Sequence, residues 1–147
     1  MLIEDILRRK GRLVIDIDAA ASVAKAIVVM AREEIGALVV LDENRGLLGV
    51  VSEREIIAAM AAQGASAFSA SVESAMVTAG PVADPHDSVA HILEVMTAQR
   101  ARHVPVLIDG IVVGVVSLGD VAQSRLQEKI VENGVLQDLA RAHLLAA

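Results

Sequence analysis

Two short stretches carry the residue types and spacing for polar recognition. Gly114-Val-Val-Ser-Leu-Gly-Asp-Val121 and Gly49-Val-Val-Ser-Glu-Arg-Glu-Ile56 each place an acid three residues after a serine. An ionised carboxylate accepts hydrogen bonds only and can receive both hydroxyls of a cis-diol. A serine where a strand turns into a helix sits beside free backbone N–H groups and the positive end of the helix dipole, which favour an anion. Ser117 with Asp120, and Ser52 with Glu55, therefore have the makings of a sugar-phosphate contact. Serine-x-x-glutamate before a helix is also a capping box that needs no ligand. Ser52 and Glu55 fit that box well. Ser117 and Asp120 fit it less well, because aspartate is one methylene shorter.

The elements that would position these residues are written twice. Ser22–Met30 aligns with Ser88–Met96, and Ile35–Val40 with Ala101–Val106, both at an offset of 66 residues. Gly49 over Gly114 shifts this to 65, and the lost residue falls between Asp42–Gly46 and the shorter Asp109-Gly110, where a turn tolerates deletion. Each copy predicts a first strand (Leu13–Ile17, and a weaker one near Val82), then a serine-capped helix. Val23, Ile27 and Met30 form the apolar face of the first helix; Val89, Ile92, Leu93 and Met96 form that of the second. A hairpin follows, Ala37–Leu41 with Leu47–Val51 and Val104–Ile108 with Ile111–Val116. A second helix closes each copy, Glu53–Ala62 and Leu118–Gln127. Pro105 lacks an N–H, which points to an edge position.

A copy of about 60 residues is too small to cover both faces of its sheet, so the two copies must pack as one module. The expected organisation is an N-terminal helix in 1–12, a first repeat in 13–62, a linker in 63–79, a second repeat in 80–127 and a C-terminal helix in 128–147. Ile3–Arg9 reads as the first cap. Arg125–Leu145 reads as the last, broken at Asn133-Gly134.

Composition narrows the function. The 147 residues are 54% hydrophobic with a net charge of -6, no cysteine, no Trp or Tyr and one Phe. A disulfide framework, a thiol nucleophile and cysteine-ligated zinc are excluded. Nucleic acid is disfavoured as the main partner, because the basic face and aromatic platforms are missing. No long uncharged apolar run predicts a membrane span, and the N-terminus does not read as a signal peptide, so a cytoplasmic location is expected. His86, His91, His103 and His143 are scattered without metal-ligand spacing, and no phosphate-loop signature is present. No enzyme is expected.

The duplicated β-α-β-β-α order, the GVVS-x-x-acid closures and the Arg102-His103-Val-Pro-Val106 stretch resemble a tandem cystathionine β-synthase (CBS) domain pair of the stand-alone bacterial type, over about residues 10–127. The resemblance implies an α+β fold of two pseudo-symmetric repeats with a short N-terminal and a longer C-terminal helix. It implies a non-catalytic regulatory module, usually a homodimer, that binds an adenine nucleotide (AMP, ADP, ATP or NAD(H)) between the repeats, requires no cofactor and signals to an effector protein. S-adenosylmethionine sensing and a ligand-free interaction scaffold are the alternatives. Carried over by position, Asp120 and Ser117 grip the ribose. Ile15, Ile35, Gly36 and Ala37 wall the base, with Lys10 nearby. Arg102 and His103 reach phosphate, and Arg54 is a weaker candidate. Taken alone, these are ordinary strand packing and exposed or packed polar side chains. Glu55 stands where the family usually has aspartate, so Asp120 is expected to serve the better site and Glu55 a weak or empty one.

Overall fold

The computed structural model describes residues 1–146. The element order is α1 (Ile3–Lys10), β1 (Asp16–Ile17), α2 (Val23–Glu33), β2 (Ala37–Leu41), β3 (Leu47–Ser52), α3 (Glu53–Gln63), a 3₁₀ turn (Gly64–Ser69), α4 (Val72–Ala75), α5 (Val89–Gln99), β4 (His103–Ile108), β5 (Ile111–Ser117) and α6 (Leu118–Ala146). In each half an antiparallel hairpin, β2–β3 or β4–β5, is the centre of a small sheet. The expected cores form. Ser22 and Ser88 accept the N–H groups of Lys25 and His91 and cap α2 and α5.

The two cores correspond position by position. Ile17, Val23, Ala26, Met30, Leu38, Val40, Val51 and Ile56 fill the first. Ala83, Val89, Ile92, Met96, Val104, Val106, Val116 and Val121 fill the second. On the capped helices the buried face includes Ala26, whereas Ile27 and Leu93 are only partly buried.

The segment before each repeat crosses to the other half. Ile3, Ile6 and Leu7 of α1 are buried in the core of the second half, and Val72 of α4 in the core of the first. The crossing contacts repeat at an offset of 69. Ile3 N donates to Asp87 O as Val72 N does to Ala21 O, and Glu4 N to Pro85 O as Glu73 N does to Ala19 O. Leu2 bridges Ser88 as Ser71 bridges Ser22. The glycines of the two GVVS stretches follow from this crossing. A Cβ on Gly114 would lie 2.7 Å from a δ-carbon of Leu7, and one on Gly49 would lie 2.8 Å from both Met76 Sδ and the carbonyl oxygen of Val77.

Three expectations are corrected. The first strand is only Asp16–Ile17 rather than Leu13–Ile17, and Leu13 is exposed. The strand near Val82 is reduced to one parallel bridge, Ala83 to Val106. The reason is Pro105. In the first half Val39 N reaches Ile15 O at 3.4 Å; the positions 66 residues on are Pro105 and Pro81, and proline has no proton to give. Finally, α6 runs unbroken from Leu118 to Ala146, so Asn133-Gly134 does not break it. One glycine in a long helix costs only about 1 kcal/mol.

Candidate functional site

Where β3 enters α3, Ser52 N donates to Glu55 Oε2 at 2.8 Å, and Ser52 Oγ is bonded to the same oxygen. Where β5 enters α6, Ser117 N donates to Asp120 Oδ2 at 2.8 Å and Asp120 N donates to Ser117 Oγ at 3.1 Å. The second junction therefore makes both halves of a capping box in spite of the shorter aspartate. The first-turn N–H groups are also served across the hairpins: Glu53 N by Gly36 O and Leu118 N by Arg102 O.

The halves then part. A cavity of about 560 Å³ opens beside the first junction, within the range of small-ligand pockets, roughly 300–1,000 Å³. Ser52, Glu53, Arg54 and Glu55 line one side. Ala79, Gly80, Pro81 and the run Gln99–His103 line the other. The cleft thus lies between an acid-bearing helix start of the first half and the strand entries of the second. Three arginines, Arg54, Arg100 and Arg102, face two glutamates, Glu53 and Glu55.

His103 is packed between the halves. A Cβ on Gly36 would lie 3.1 Å from His103 Cε1, so a side chain at Gly36 would crowd the imidazole. Burial pushes the His103 pKa below 6.5; Glu53 pulls it up, while Lys10 and Arg102 push it further down. The ring is held toward its neutral form.

The second junction carries a salt bridge. Lys10 Nζ lies 2.7 Å from Asp120 Oδ2 and donates to Val115 O at 3.0 Å. Burial opposes ionisation of Asp120, but the Lys10 and Ser117 hydrogen bonds outweigh it and set the carboxyl below its ordinary pKa. Both side chains keep solvent contact, so the pair contributes no more than about 1 kcal/mol to folding. In the first half the matching acceptor, Val50 O, is taken by the backbone N–H of Val77, and the residue 69 positions after Lys10 is Ala79 on the cleft wall. A long cation in one half stands where the other half has a methyl group.

The expected residues therefore fall into two groups. Ser52, Arg54, Glu55, Gly36, Arg102 and His103 share the open cleft. Lys10, Ser117 and Asp120 form a second cluster, near enough for Lys10 and Asp120 to act on His103. Ile15, Ile35 and Ala37 are partly buried in the first half and do not line the cavity. The counterparts of Ile15, Ile35, Gly36 and Ala37, 66 residues on, are Pro81, Ala101, Arg102 and His103, and these do line it. Pro81 and Ala101 were absent from the expected set, and the repeat offset alone would have found them. Arg100, the left-handed cap of α5, carried no motif signal.

The family model for the CBS domain matches residues 3–62 and 72–126, starting both times at the crossing helix. The mitochondrial CBS domain-containing protein CBSX3 of Arabidopsis thaliana is 30% identical over 134 residues. That match covers 86% of this chain and 65% of the relative, so the chain spans about two thirds of its length at most. The CBS-domain protein ATU1752 from Agrobacterium tumefaciens superposes with a TM-score of 0.82 at 35% identity, covering 85% of this chain and 99% of that one. The CBS domain pair of protein MJ0100, solved in complex with 5′-methylthioadenosine and S-adenosyl-L-methionine, gives 0.75 at 25% identity, covering 87% and 98%. Among the described residues no helix is long and apolar enough to cross a membrane. With a duplicated core, a crossing helix before each copy and family matches over both, the chain belongs to the CBS-domain family as a tandem pair.

Proposed function

We propose that the protein is a non-catalytic regulatory module that binds an adenine nucleotide, of the AMP, ADP, ATP or NAD(H) class, in the open cleft beside Glu55. The observation that carries this reading is the meeting in one cavity of a helix start with a carboxylate, a small apolar wall and three arginines. Glu55 Oε2 is engaged by Ser52, which leaves Oε1 to accept ribose hydroxyls. Ala79, Pro81 and Ala101 form the wall against which the base packs, and Arg54, Arg100 and Arg102 receive phosphate. The Ser117–Asp120 junction offers the same chemistry in a second site, where Ser117 and Lys10 both engage Asp120 Oδ2.

The adenosyl ligands of the MJ0100 pair support the ligand class. The arginine excess favours a phosphate-bearing ligand over the sulfonium of S-adenosylmethionine. A nucleotide touching both halves signals by favouring one packing of the halves over another, which an effector or a second copy of the chain reads. Thermal unfolding with AMP, ATP, NADH and S-adenosylmethionine tests the reading. A ligand present at 100 times its Kd stabilises by about 2.7 kcal/mol. No shift with any of them at millimolar concentration would instead favour a ligand-free scaffold.

A further inference from the structure

His103 stands at the seam of the two halves, between their two junctions. It opens β4, pairs there with Ser117 of β5, and lines the cavity of the first junction. A Cβ built on Gly36 would meet His103 Cε1 at 3.1 Å, His103 Nε2 at 3.3 Å and Glu53 Oε1 at 3.5 Å. The imidazole and the Glu53 carboxylate therefore flank one glycine, whose carbonyl accepts the first N–H of α3. The charged groups acting on the ring come from several elements: Glu53 from α3, Lys10 from α1, Arg102 beside it and Asp120 from α6. Arg54, Arg100 and Glu55 share its cavity. Among the described residues, Arg54, Arg100, Arg102, Glu53 and Glu55 form no ion pair. The cavity thus holds an excess of positive charge with no partner fixed in place.

We propose that His103 couples nucleotide binding in this cleft to the uptake of a proton, so that the module holds a phosphate-bearing ligand more tightly as pH falls. This inference rests on the reading of the cleft as an adenine-nucleotide site and adds its regulation. Imidazole is the side chain whose charge ordinarily changes near neutral pH. In the free protein burial, with Lys10 and Arg102, holds the ring toward its neutral form against the pull of Glu53 and Asp120. A phosphate group among the arginines brings about two negative charges into the cavity that the ring lines. A nearby opposite charge favours the protonated imidazole. A ligand that raises the pKa of a group binds its protonated form more tightly. Affinity therefore rises as pH falls through the pKa of the bound state. It levels off below that of the free state, which lies under 6.5. The first half has Ala37 at the matching strand position, opposite Ser52, and no proton to exchange there.

The test is calorimetric titration of AMP, ATP and adenosine at about pH 6 and about pH 8, each in two buffers of different ionisation enthalpy. The proteins are the wild type, His103→Gln and His103→Ala. His103→Ala takes the residue that the first half carries at this position, so it guards against a variant that fails to fold. With AMP and ATP the wild type should take up a proton and gain affinity by at most about tenfold per pH unit. Both variants should lose that uptake and that part of the slope. The titration of the ligand's own phosphate is common to all three proteins and cancels in the comparison. A proton count and pH slope retained in either variant, or proton release by the wild type, overturns the inference and leaves the cleft reading standing. Uptake with adenosine as large as with AMP overturns it too, since adenosine brings no charge to draw the proton. No binding of any of the three at either pH sinks the cleft reading, and the inference with it.

Discussion

The two halves of this molecule share a core position by position and differ at the strand-to-helix junctions. Leu38, Val40 and Val51 match Val104, Val106 and Val116 inside the hairpins, and each half borrows a helix from the segment before the other. Yet one junction faces a cavity of about 560 Å³ and the other holds a salt bridge. Packing constrains every buried position of a duplicated fold, because a lost methylene is felt in a close-packed core. The rim is free to diverge. Ala79 against Lys10, Glu55 against Asp120 and Gly36 against Arg102 make equivalent backbones present different chemistry.

Variants can break this comparison at the level of the fold first. Leu7→Ala should cost roughly 2–5 kcal/mol in urea unfolding, although Leu7 precedes the first repeat, because its side chain is 1% exposed in the core of the second. Val72→Ala, at the buried crossing residue of the other half, should cost less, having fewer carbons to lose. A cost below about 1 kcal/mol for Leu7→Ala would show that α1 is not part of that core.

The paired glycines sharpen it next. Gly49→Ala should destabilise by about 1–3 kcal/mol, since the new Cβ meets the rigid backbone carbonyl of Val77. Gly114→Ala should cost less, since the obstacle is the movable end of Leu7. Equal losses in the same unfolding assay would contradict that difference. The caps serve as the symmetric control: Ser22→Ala and Ser88→Ala should each cost about 1 kcal/mol, with no difference between halves.

The smallest effect is expected from pH. Folding lowers the His103 pKa, so the unfolded chain takes up the proton first. Stability contributed by neutral His103 is therefore complete above pH 6.5 and declines as pH falls from there toward the folded value. Asp120, also lowered, loses its contribution only in the acid range below the ordinary carboxylate pKa. His103→Gln should flatten the stability profile just below pH 6.5 and leave the acid limb in place. An unaltered slope in that window would remove His103 as its source.

Much of the fold was legible because its signals are local or periodic. Serine caps marked α2 and α5, and continuous apolar runs marked the four hairpin strands to within a residue. The misses were non-local. Four-residue α4 lies in an alanine- and serine-rich stretch that reads as linker, and only its contacts with the other half reveal it as the counterpart of α1. The short first strand of the second half depends on a partner proline, Pro105, whose missing proton matters only once the pairing is known. The candidate site suffered most. Motif and resemblance single out Ser117, Asp120, Arg102 and His103 one by one, but which of them come together depends on how the halves pack. Arg102 and His103 line the same cavity as Glu53 and Glu55, and Lys10 pairs with Asp120.

The central claim, that the ligand occupies the cleft of the first junction, reduces to a comparison of two carboxylates. Titrating AMP and ATP into Glu55→Ala and Asp120→Ala, each checked for folding by thermal unfolding, should show affinity lost by tenfold or more in the first and unchanged within twofold in the second, a gap of about 1 kcal/mol or more. The reverse pattern, with Asp120→Ala abolishing binding and Glu55→Ala leaving it intact, would contradict the account and return the ribose to the junction where Lys10 pairs with Asp120.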